Sequence, residues 1–359
     1  MARRSPSPLF RHSLPGQVGF TLVEIMVGLA IGMLATLVIL QVFSVFEAQE
    51  RATTGSANAQ TNGNIALYSI GRELQVAGYA LMPANESPLA CATLTVGTTG
   101  IGDIFPVRIS NGVATAGVSA SDSISIRYGS SPMGGVPTRI TAVGAPGPDD
   151  VAVTNNFGCQ VNDIVLISNG TVCNLTKVTA MSAASTVPST MTLQDIAGAI
   201  AGANIACLGK WNEISYRSNG GNLERAEGAA SAVPAIAGIV NLQAQYGISA
   251  SAASNQVTQW VDATGTWAAP TVADRKRIKA VRIAVVARSE KSEPNAVTSA
   301  CSSTTAAAPT GLCAWVGSAS SPAPVIDLSA SDPDWARYHY RVFETIIPLR
   351  NIIWSKDVL

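Results

Sequence analysis

The chain has 359 residues, of which only 13% are charged, and its 23 basic and 23 acidic side chains balance. This balance provides no electrostatic footprint for nucleic acid, so we expect no nucleic-acid partner. Short runs rich in Val, Ile and Leu recur along the sequence, and they exclude a wholly disordered protein.

The first 19 residues form a basic leader, which carries Arg3, Arg4 and Arg11 and no acid. Basic residues are retained on the cytoplasmic side of a membrane, so everything after Phe46 is expected outside the inner membrane. The run from Ile25 to Phe46 has no charged residue, and a helix of about 22 residues spans the hydrocarbon core of a bilayer. This run is longer than the apolar core of an ordinary cleavable signal peptide.

The most specific signal lies where the leader meets the apolar run, and it reads Gly19-Phe20-Thr21-Leu22-Val23-Glu24. A carboxylate at the edge of a membrane segment is costly unless it is paired or reaches water. The motif resembles the type III signal of type IV prepilins and type II secretion pseudopilins. The resemblance implies that a prepilin peptidase cuts after Gly19 and that the new N-terminal Phe20 is N-methylated. It also implies that Glu24 pairs with an N-terminal amine during assembly, because paired buried charges cost far less than isolated ones.

Helical spacing continues past the membrane segment, and it predicts one helix over residues 20–77, with 20–46 crossing the membrane. Gly78 is expected to end this helix. One apolar face recurs at Ala66, Ile70, Leu74 and Ala77. Glycines in the helix weaken it by about 1 kcal/mol each where exposed, which indicates either bending in a filament or close packing by small residues. These glycines are Gly28, Gly32, Gly55, Gly63 and Gly71.

After Pro83 the apolar residues follow a period of two, which is typical of β-strands. Strands are predicted at 123–128, 163–168, 171–181, 211–217, 239–247, 277–288 and 339–351. Asn169-Gly170 predicts a type I′ turn between two of them. Segments rich in Gly, Pro, Ser or Ala are expected as loops or irregular connections, and they cover 129–148, 182–206 and 289–335. Residues 78–359 are therefore expected to form a β-rich globular head packed on the membrane-spanning helix, an α+β fold.

The even number of cysteines indicates disulfides in an oxidising compartment. The six are Cys91, Cys159, Cys173, Cys207, Cys301 and Cys313. We expect Cys301 to pair with Cys313 across a local loop. We expect Cys159 to pair with Cys173, because the two lie in neighbouring segments. Cys91 is then left to pair with Cys207. Free buried thiols remain an alternative for one or more of them.

Later segments resemble one branch of the same family, the PilW-type minor pilins of type IV pili. The likeness is carried by Ile65–Tyr79, Val240–Gly247, Ala280–Ser289 and Arg341–Asn351. It implies a type IV pilin-like fold and a minor pilin that assembles with other minor pilins and the major pilin. It implies priming of pilus assembly, a place at the pilus tip, and support of twitching motility and adhesion. The expected location is the inner membrane with a periplasmic head, and after assembly the pilus on the cell surface.

The sequence offers no catalytic constellation. His12 lies in the leader and His339 stands alone in a predicted strand, and no metalloprotease, phosphate-loop or dinucleotide motif is present. Asp149-Asp150 and Asp332-Pro333-Asp334 lack the alternation of a calcium loop, which favours roles in turns and caps. We therefore expect no enzyme activity, no metal and no cofactor.

Two other functions stay open from the sequence. A type II secretion pseudopilin shares the signal and the helix, although the C-terminal resemblance disfavours it. A membrane-anchored periplasmic enzyme or binding protein would use the helix only as an anchor, with Glu24 at the membrane interface. Unprocessed protein in the membrane would favour that second alternative.

Overall fold

The computed structural model describes residues 19–81, 93–95, 99, 101–115, 120–144, 146–183 and 186–354. The leader before Gly19 and Cys91 therefore lie outside the described residues. The chain divides into two compact units, residues 1–52 and 53–359. One long helix is followed by a β-rich second unit, which confirms the predicted α+β fold.

The helices are α1 (Leu22–Val76), α2 (Val272–Arg275) and α3 (Arg350–Trp354), with short 3-10 turns at Gly265–Trp267 and Trp335–Arg337. The first strands are β1 (Thr93–Thr95), β2 (Val107–Ser110), β3 (Ser123–Tyr128), β4 (Pro137–Val143), β5 (Asp150–Val153), β6 (Ile164–Ser168), β7 (Val172–Met181) and β8 (Ser189–Leu193). The others are β9 (Asn204–Gly209), β10 (Asn212–Asn219), β11 (Asn222–Glu227), β12 (Val233–Ala237), β13 (Ile239–Ser249), β14 (Val257–Val261), β15 (Ile278–Arg288) and β16 (Tyr340–Pro348). The helix predicted over 20–77 is thus present as α1.

In the first unit, α1 exposes apolar side chains all around its circumference. Residues Leu22–Glu47 are long and apolar enough to cross a membrane, and none of this segment is buried. A helix that is apolar on every side needs an apolar environment. Within the described chain nothing covers this segment, so a bilayer or other helices must provide that environment.

In the second unit, one face of α1 belongs to the protein core. The buried positions recur every three or four residues, as a helix face requires: Gly55, Ala59, Gly63, Ala66, Ile70, Leu74 and Ala77. The helix ends at the predicted place, because Gly78 adopts φ 78° and its N–H donates to the Arg127 carbonyl at 2.9 Å. Only glycine takes this backbone conformation readily.

The glycines of this buried face allow close packing. A Cβ atom at Gly63 would overlap the ring of Phe343, and one at Gly55 would lie 3.1 Å from the Cβ of Ser289. A Cβ at Gly71 would meet the Ile347 Cδ1 at an ordinary distance of 3.5 Å. At Gly55 and Gly63 this close approach therefore favours the smallest residue.

Two antiparallel sheets complete the main core with α1. The first has the strand order β12-β11-β10-β3-β2 and the second β14-β13-β15-β16. The phenol of Tyr246 is fully buried between them. It accepts a hydrogen bond from the Ile109 N–H at 2.7 Å and donates one to the Val107 carbonyl at 3.4 Å. This side chain therefore joins β13 to β2.

The largest difference from the sequence-based prediction lies between β3 and β10. Strands pair in the order β7-β6-β9-β4-β5-β8, and β8 pairs again with β7, which closes a six-stranded barrel. Every strand of the ring contributes to its interior cluster, which contains Ile140, Val151, Val153, Val165, Ile167, Val178, Met191, Leu193, Ala203, Ile205 and Cys207. The loops predicted over 129–148 and 182–206 are wrong where they cover β4, β8 and the start of β9. Their Gly and Pro residues mark barrel corners, and the short strands between them pair with partners that are distant in sequence.

The barrel is an insertion in a β-hairpin. Strands β3 and β10 pair directly, from Ser123 opposite Arg217 to Tyr128 opposite Asn212. The chain therefore leaves the five-stranded sheet after Tyr128, builds the barrel, and returns at Asn212 as the neighbouring strand.

The predicted hairpin around Asn169-Gly170 is present as β6 and β7, but its turn is not of type I′. That turn needs a positive φ at both central residues, and of these two only Gly170 has one, at 87°. The Asn169 Oδ1 instead accepts hydrogen bonds from the N–H groups of Thr171 and Val172 at 3.1 and 2.8 Å. The asparagine side chain thus organises the connection locally.

The disulfides agree only in part with the prediction. The Cys301–Cys313 pair is confirmed. The Cys159–Cys173 and Cys91–Cys207 pairs are wrong, because Cys159 is bonded to Cys207. Barrel closure brings Cys159 and Cys207 to the same interior cluster, whereas Cys173, itself disulfide-bonded, lies in a cluster on the other side of its strand.

Residues 289–334, all of them described, contain neither helix nor strand, as the sequence predicted. They cover the outer face of the four-stranded sheet and form a second apolar layer there. This layer contains Leu312, Ala314, Trp315, Ala323, Ile326 and Leu328, packed on Ala284 and Val286. The Cys301–Cys313 disulfide closes a loop within this covering segment.

Candidate assembly site and helix surface

The predicted processing and assembly residues lie together at the start of α1. Gly19 and Phe20 precede the helix, and Glu24 lies in its first turn. The backbone N–H of Glu24 donates to the carbonyl of Thr21 at 3.0 Å and to its hydroxyl at 3.3 Å. Thr21 is therefore the N-cap of α1.

This cap was not predicted, although the sequence carries its signal. Thr21 and Glu24 have the Thr-x-x-Glu spacing of a capping box, in which the acid occupies the third helical position. A negative charge there also interacts favourably with the helix dipole, by about 0.3–1 kcal/mol. Glu24 thus has a local structural role that is separate from the role implied by the family resemblance.

The carboxylate of Glu24 is exposed, and within the described chain it forms no ion pair. Phe20 is 79% exposed. A cut after Gly19 would create a charged amine on Phe20, at the edge of an uncovered apolar helix. The geometry therefore provides one unpaired acid and one prospective cation at the same end of the segment.

The second unit also leaves an apolar stripe of α1 uncovered, opposite its buried face. Ile65 is 48% exposed, Tyr68 71% and Val76 39%. Arg72 lies on the same face and is exposed, and Tyr79, just after the helix, is 39% exposed. The spacing of three and four residues places these side chains in one row. This row, residues 65, 68, 72, 76 and 79, is the outer stripe of α1.

The end of α1 is held on the five-stranded sheet by a buried acid. Glu73 is only 5% exposed, and its carboxylate accepts a hydrogen bond from the Tyr128 hydroxyl at 2.9 Å. Arg72 contacts the other carboxylate oxygen at 3.3 Å. Burial, followed by the hydrogen bond to Glu73, raises the pKa of Tyr128 to about 12, so the phenol stays a donor. Glu73 belongs to the segment on which the family resemblance was based.

Another buried charge of the second unit, that of Arg127, is neutralised by nearby acids. Arg127, which is 7% exposed, contacts Asp103 at 3.3 Å and Glu213 at 2.8 Å. It also donates to the carbonyl of Phe105 at 3.1 Å. This arrangement fixes the segment before β2 against β3 and β10. Because each charge has a protein partner, the network is structural in character.

The acidic pairs considered from the sequence have turn roles. Asp150 accepts hydrogen bonds from a turn N–H and from the hydroxyl of Thr192. Asp332 accepts from the N–H of Asp334 at 3.0 Å. The imidazole of His339 lies 3.3 Å from the carboxylate of Glu293. Among the residues that the structure describes, no group of three or more such side chains could hold a metal ion.

Comparison with known proteins relates the C-terminal part of the chain to pilus assembly. Residues 214–351 match the family model of PilW, the type IV pilus-assembly protein W. This confirms the family resemblance inferred from the sequence, and the match covers most of both open sheets but not the barrel. No curated protein matches the chain. A type IV-like pilin from Thermus thermophilus aligns with 10% identity and a TM-score of 0.33, over 82% of this chain and 96% of that chain.

Proposed function

We propose that the protein is a minor pilin that assembles with other minor pilins and the major pilin to prime type IV pilus assembly. We further propose a place at the pilus tip and a contribution to twitching motility and adhesion. The observation that carries the proposal is an uncovered apolar helix headed by Gly19, Phe20 and Glu24, on a chain whose region 214–351 matches the PilW family. The proposed role is structural rather than enzymatic.

In the proposed maturation, a prepilin peptidase removes residues 1–19 and leaves Phe20 as an N-methylated terminus. Residues 20–46 hold the protein in the inner membrane, with residues 78–359 on the periplasmic side. Removal of the leader takes away three arginines and leaves three more acids than bases. After assembly the same helix would lie among other pilin helices in the filament.

The mechanism follows from the cost of an unpaired charge in lipid. Glu24 alone at the membrane edge is unfavourable, and so is the ammonium of Phe20. Pairing Glu24 with the Phe20 amine of a neighbouring subunit removes both costs at one axial offset between the helices. Other offsets leave both charges unpaired, so the pair selects the register of the filament.

Lateral contacts would come from the two uncovered parts of α1. In the first unit the whole circumference from Leu22 to Glu47 is available. In the second unit the outer stripe is available, while the opposite face is already used by the core. We propose that the outer stripe contacts other pilins in the filament.

The test is complementation of a deletion strain with wild type, Glu24→Ala and Glu24→Gln. Glutamine keeps the capping-box acceptor and removes the charge, so it separates capping from ion pairing. Loss of one partner of a buried pair costs about 3–5 kcal/mol, roughly a hundredfold or more in an assembly equilibrium. We therefore expect both variants to be cleaved and inserted normally but to abolish surface pili.

The readouts are the amount of pilin sheared from the cells, the mass of the mature protein, and secreted enzyme activity. Wild-type piliation with Glu24→Gln would contradict the ion-pair mechanism and leave only the capping role. Intact pili with lost secretion in the deletion strain would move the protein to the type II secretion pseudopilins. If the deletion changes neither, the helix acts as an anchor and the proposed function is wrong.

A further inference from the structure

The outer edge of the four-stranded sheet is regular and open. Strand β16 pairs with β15 without interruption from Tyr340 to Pro348. At the two ends, the Leu349 N–H donates to the Lys279 carbonyl at 2.9 Å and the Ser289 N–H donates to the His339 carbonyl at 2.8 Å. In an antiparallel pair such bonds recur at every second residue, so the odd-numbered residues of β16 face β15.

The even-numbered residues of β16 therefore direct their backbone groups away from the sheet. These are the N–H and C=O groups of Val342, Glu344 and Ile346. The described part of the chain offers them no hydrogen-bond partner. An edge of this kind is a template for pairing with another strand.

The other edges of the two open sheets are interrupted or short. Strand β14 meets β13 with a register shift at Ile248/Ser249. Strand β12 has a register shift against β11 and carries Pro234, and β2 has only four residues. These features prevent edge pairing. Strand β16, with nine residues, has a proline only at its end.

The side chains beside the open edge have a specific chemistry. Glu344 is exposed and forms no close ion pair among the described residues, although its charge interacts with that of Arg282. Two positions along the same face, Ile346 is 54% exposed, and Val316 from the covering segment is 57% exposed. The edge thus presents one acid next to an apolar surface.

A groove of about 300 Å³ adjoins this edge, lined by Arg282, Trp315, Val316, Glu344, Thr345 and Ile346. Its wall is fixed, because the guanidinium carbon of Arg282 lies 4.8 Å from the ring centre of Trp260 and 4.2 Å from that of Trp315. Arg282 also donates to the side-chain oxygen of Gln245 at 2.9 Å. A wall that is ordered before binding lowers the entropy lost on binding.

We propose that the open edge of β16 binds an extended segment of a partner protein, which adds antiparallel to the four-stranded sheet as a fifth strand. The free backbone groups of Val342, Glu344 and Ile346 supply the main-chain hydrogen bonds. Residues of the added strand alternate between faces, so the residues opposite Val342, Glu344 and Ile346 share one face. We expect a basic side chain opposite Glu344 and apolar side chains opposite Val342 and Ile346. An acidic segment is disfavoured by Glu344. This inference does not depend on the proposed role in pilus assembly.

The test uses the full-length protein in detergent micelles and a fluorescent peptide, Thr-Val-Thr-Lys-Thr-Val-Thr. Its Val, Lys and Val share one face and fall opposite the three even-numbered residues of β16. A first control has Glu in place of Lys, and we expect at least about fivefold weaker binding. A second has N-methyl groups on the Val and Lys amides, which removes the edge hydrogen bonds, and we expect no binding. N-methyl groups on two Thr amides face away from the edge and should be tolerated.

Residue-level hydrogen exchange locates the contact. In the complex we expect the amides of Val342, Glu344 and Ile346 to exchange at least about tenfold more slowly. The amides of Phe343 and Thr345 already face β15 and should not change. Glu344→Lys should reverse the preference between the Lys and Glu peptides.

Three results would overturn the proposal: no saturable binding by the Lys peptide, equal binding by both N-methylated forms, or protection confined to other strands. Glu344→Pro provides a further check, since it removes an outward N–H and leaves the bonds to β15 in place. If this variant does not fold, the peptide series and Glu344→Lys still decide the question. Undiminished binding by a folded Glu344→Pro would also overturn the proposal.

Discussion

At the scale of single residues, helix α1 depends on glycines, such as Gly63 and Gly78, and on the charged side chain of Glu24 in its first turn. Gly78 could be identified from the sequence, because a helix end that needs positive φ selects glycine. The role of Gly63 could not, since the Phe343 ring that covers it is far away along the chain. The N-cap at Thr21 had a recognisable spacing with Glu24, but the membrane-edge signal obscured it.

The close packing at Gly63 gives a direct prediction for stability. Gly63→Ala places a methyl group within the Phe343 ring, and we expect a loss of about 1–3 kcal/mol in the free energy of unfolding. Gly71→Ala is the matched control on the same helix, where the new Cβ would lie 3.5 Å from Ile347. Gly71→Ala should leave the free energy of unfolding unchanged or raise it by at most about 1 kcal/mol. Urea unfolding followed by circular dichroism measures both, and equal stability of the two variants would contradict the packing argument.

The buried carboxyl of Asp122 predicts a pH dependence of stability. It accepts hydrogen bonds from the N–H groups of Gly112 and Ala244 at 2.8 Å. Burial raises its pKa from 3.8 to about 6, opposed by these two hydrogen bonds and reinforced by Asp262. Between these pH values the native state keeps a proton that the unfolded state releases, so the free energy of unfolding falls as pH rises. The change at this site is roughly 2 kcal/mol between pH 4 and pH 7.

Asp122→Asn removes this titration and separates it from other acids. The stability of wild type relative to the variant should be greater at pH 4 than at pH 7. Denaturant unfolding at both pH values measures the difference. If wild type and variant keep a constant difference across this range, Asp122 does not titrate as described.

At the scale of elements, the sequence predicted a strand correctly where the apolar residues of that strand follow a period of two. The prediction for 123–128 coincides with β3, and that for 277–288 differs from β15 by one residue. Strands β4 and β8 and the start of β9 lie in segments rich in Gly, Pro, Ser or Ala, where local signals indicated irregular structure, and β5 was not predicted. Their stability comes from closing a ring of non-local pairs, which no local pattern encodes.

The Cys159–Cys207 disulfide is expected to stabilise this ring. It joins residues 48 positions apart, and its loss should destabilise the barrel by about 2–4 kcal/mol. The double variant Cys159→Ala/Cys207→Ala should therefore increase hydrogen exchange in β5 and β8 but leave β13 and β15 unchanged. Cys301→Ala/Cys313→Ala is the matched control and should affect only the segment after β15. Uniform acceleration throughout the second unit would show that the barrel does not open separately.

At the scale of the whole molecule, the two units have different requirements. In the described part of the first unit, the helix segment Leu22–Glu47 has no buried residue, whereas the main core of the second unit begins at Ala59. From the sequence, composition separates the uncharged run at 25–46 from the later stretches whose apolar residues follow a period of two. The barrel was not predicted, because it is evident only from the pairing of strands that are distant in sequence.

The completeness of the second core predicts that residues 53–359 fold when expressed alone. We expect a protein soluble without detergent, with a cooperative thermal transition and the same hydrogen-exchange protection in β13 and β15 as the full chain. Size-exclusion chromatography and differential scanning calorimetry provide the measurements. Aggregation, or a broad transition without a defined Tm, would show that the second unit needs residues 1–52 to fold.

The position of the barrel has a consequence for how such chains vary. Because Tyr128 and Asn212 are opposite each other at the ends of β3 and β10, the departing and returning chain are one strand spacing apart. A tight turn could join the same two points, and so could a module of another architecture whose termini are close together. Length differences among related chains should therefore concentrate at this junction. The five-stranded sheet can therefore stay the same while the segment between β3 and β10 is replaced during evolution, because the pairing of these two strands does not change.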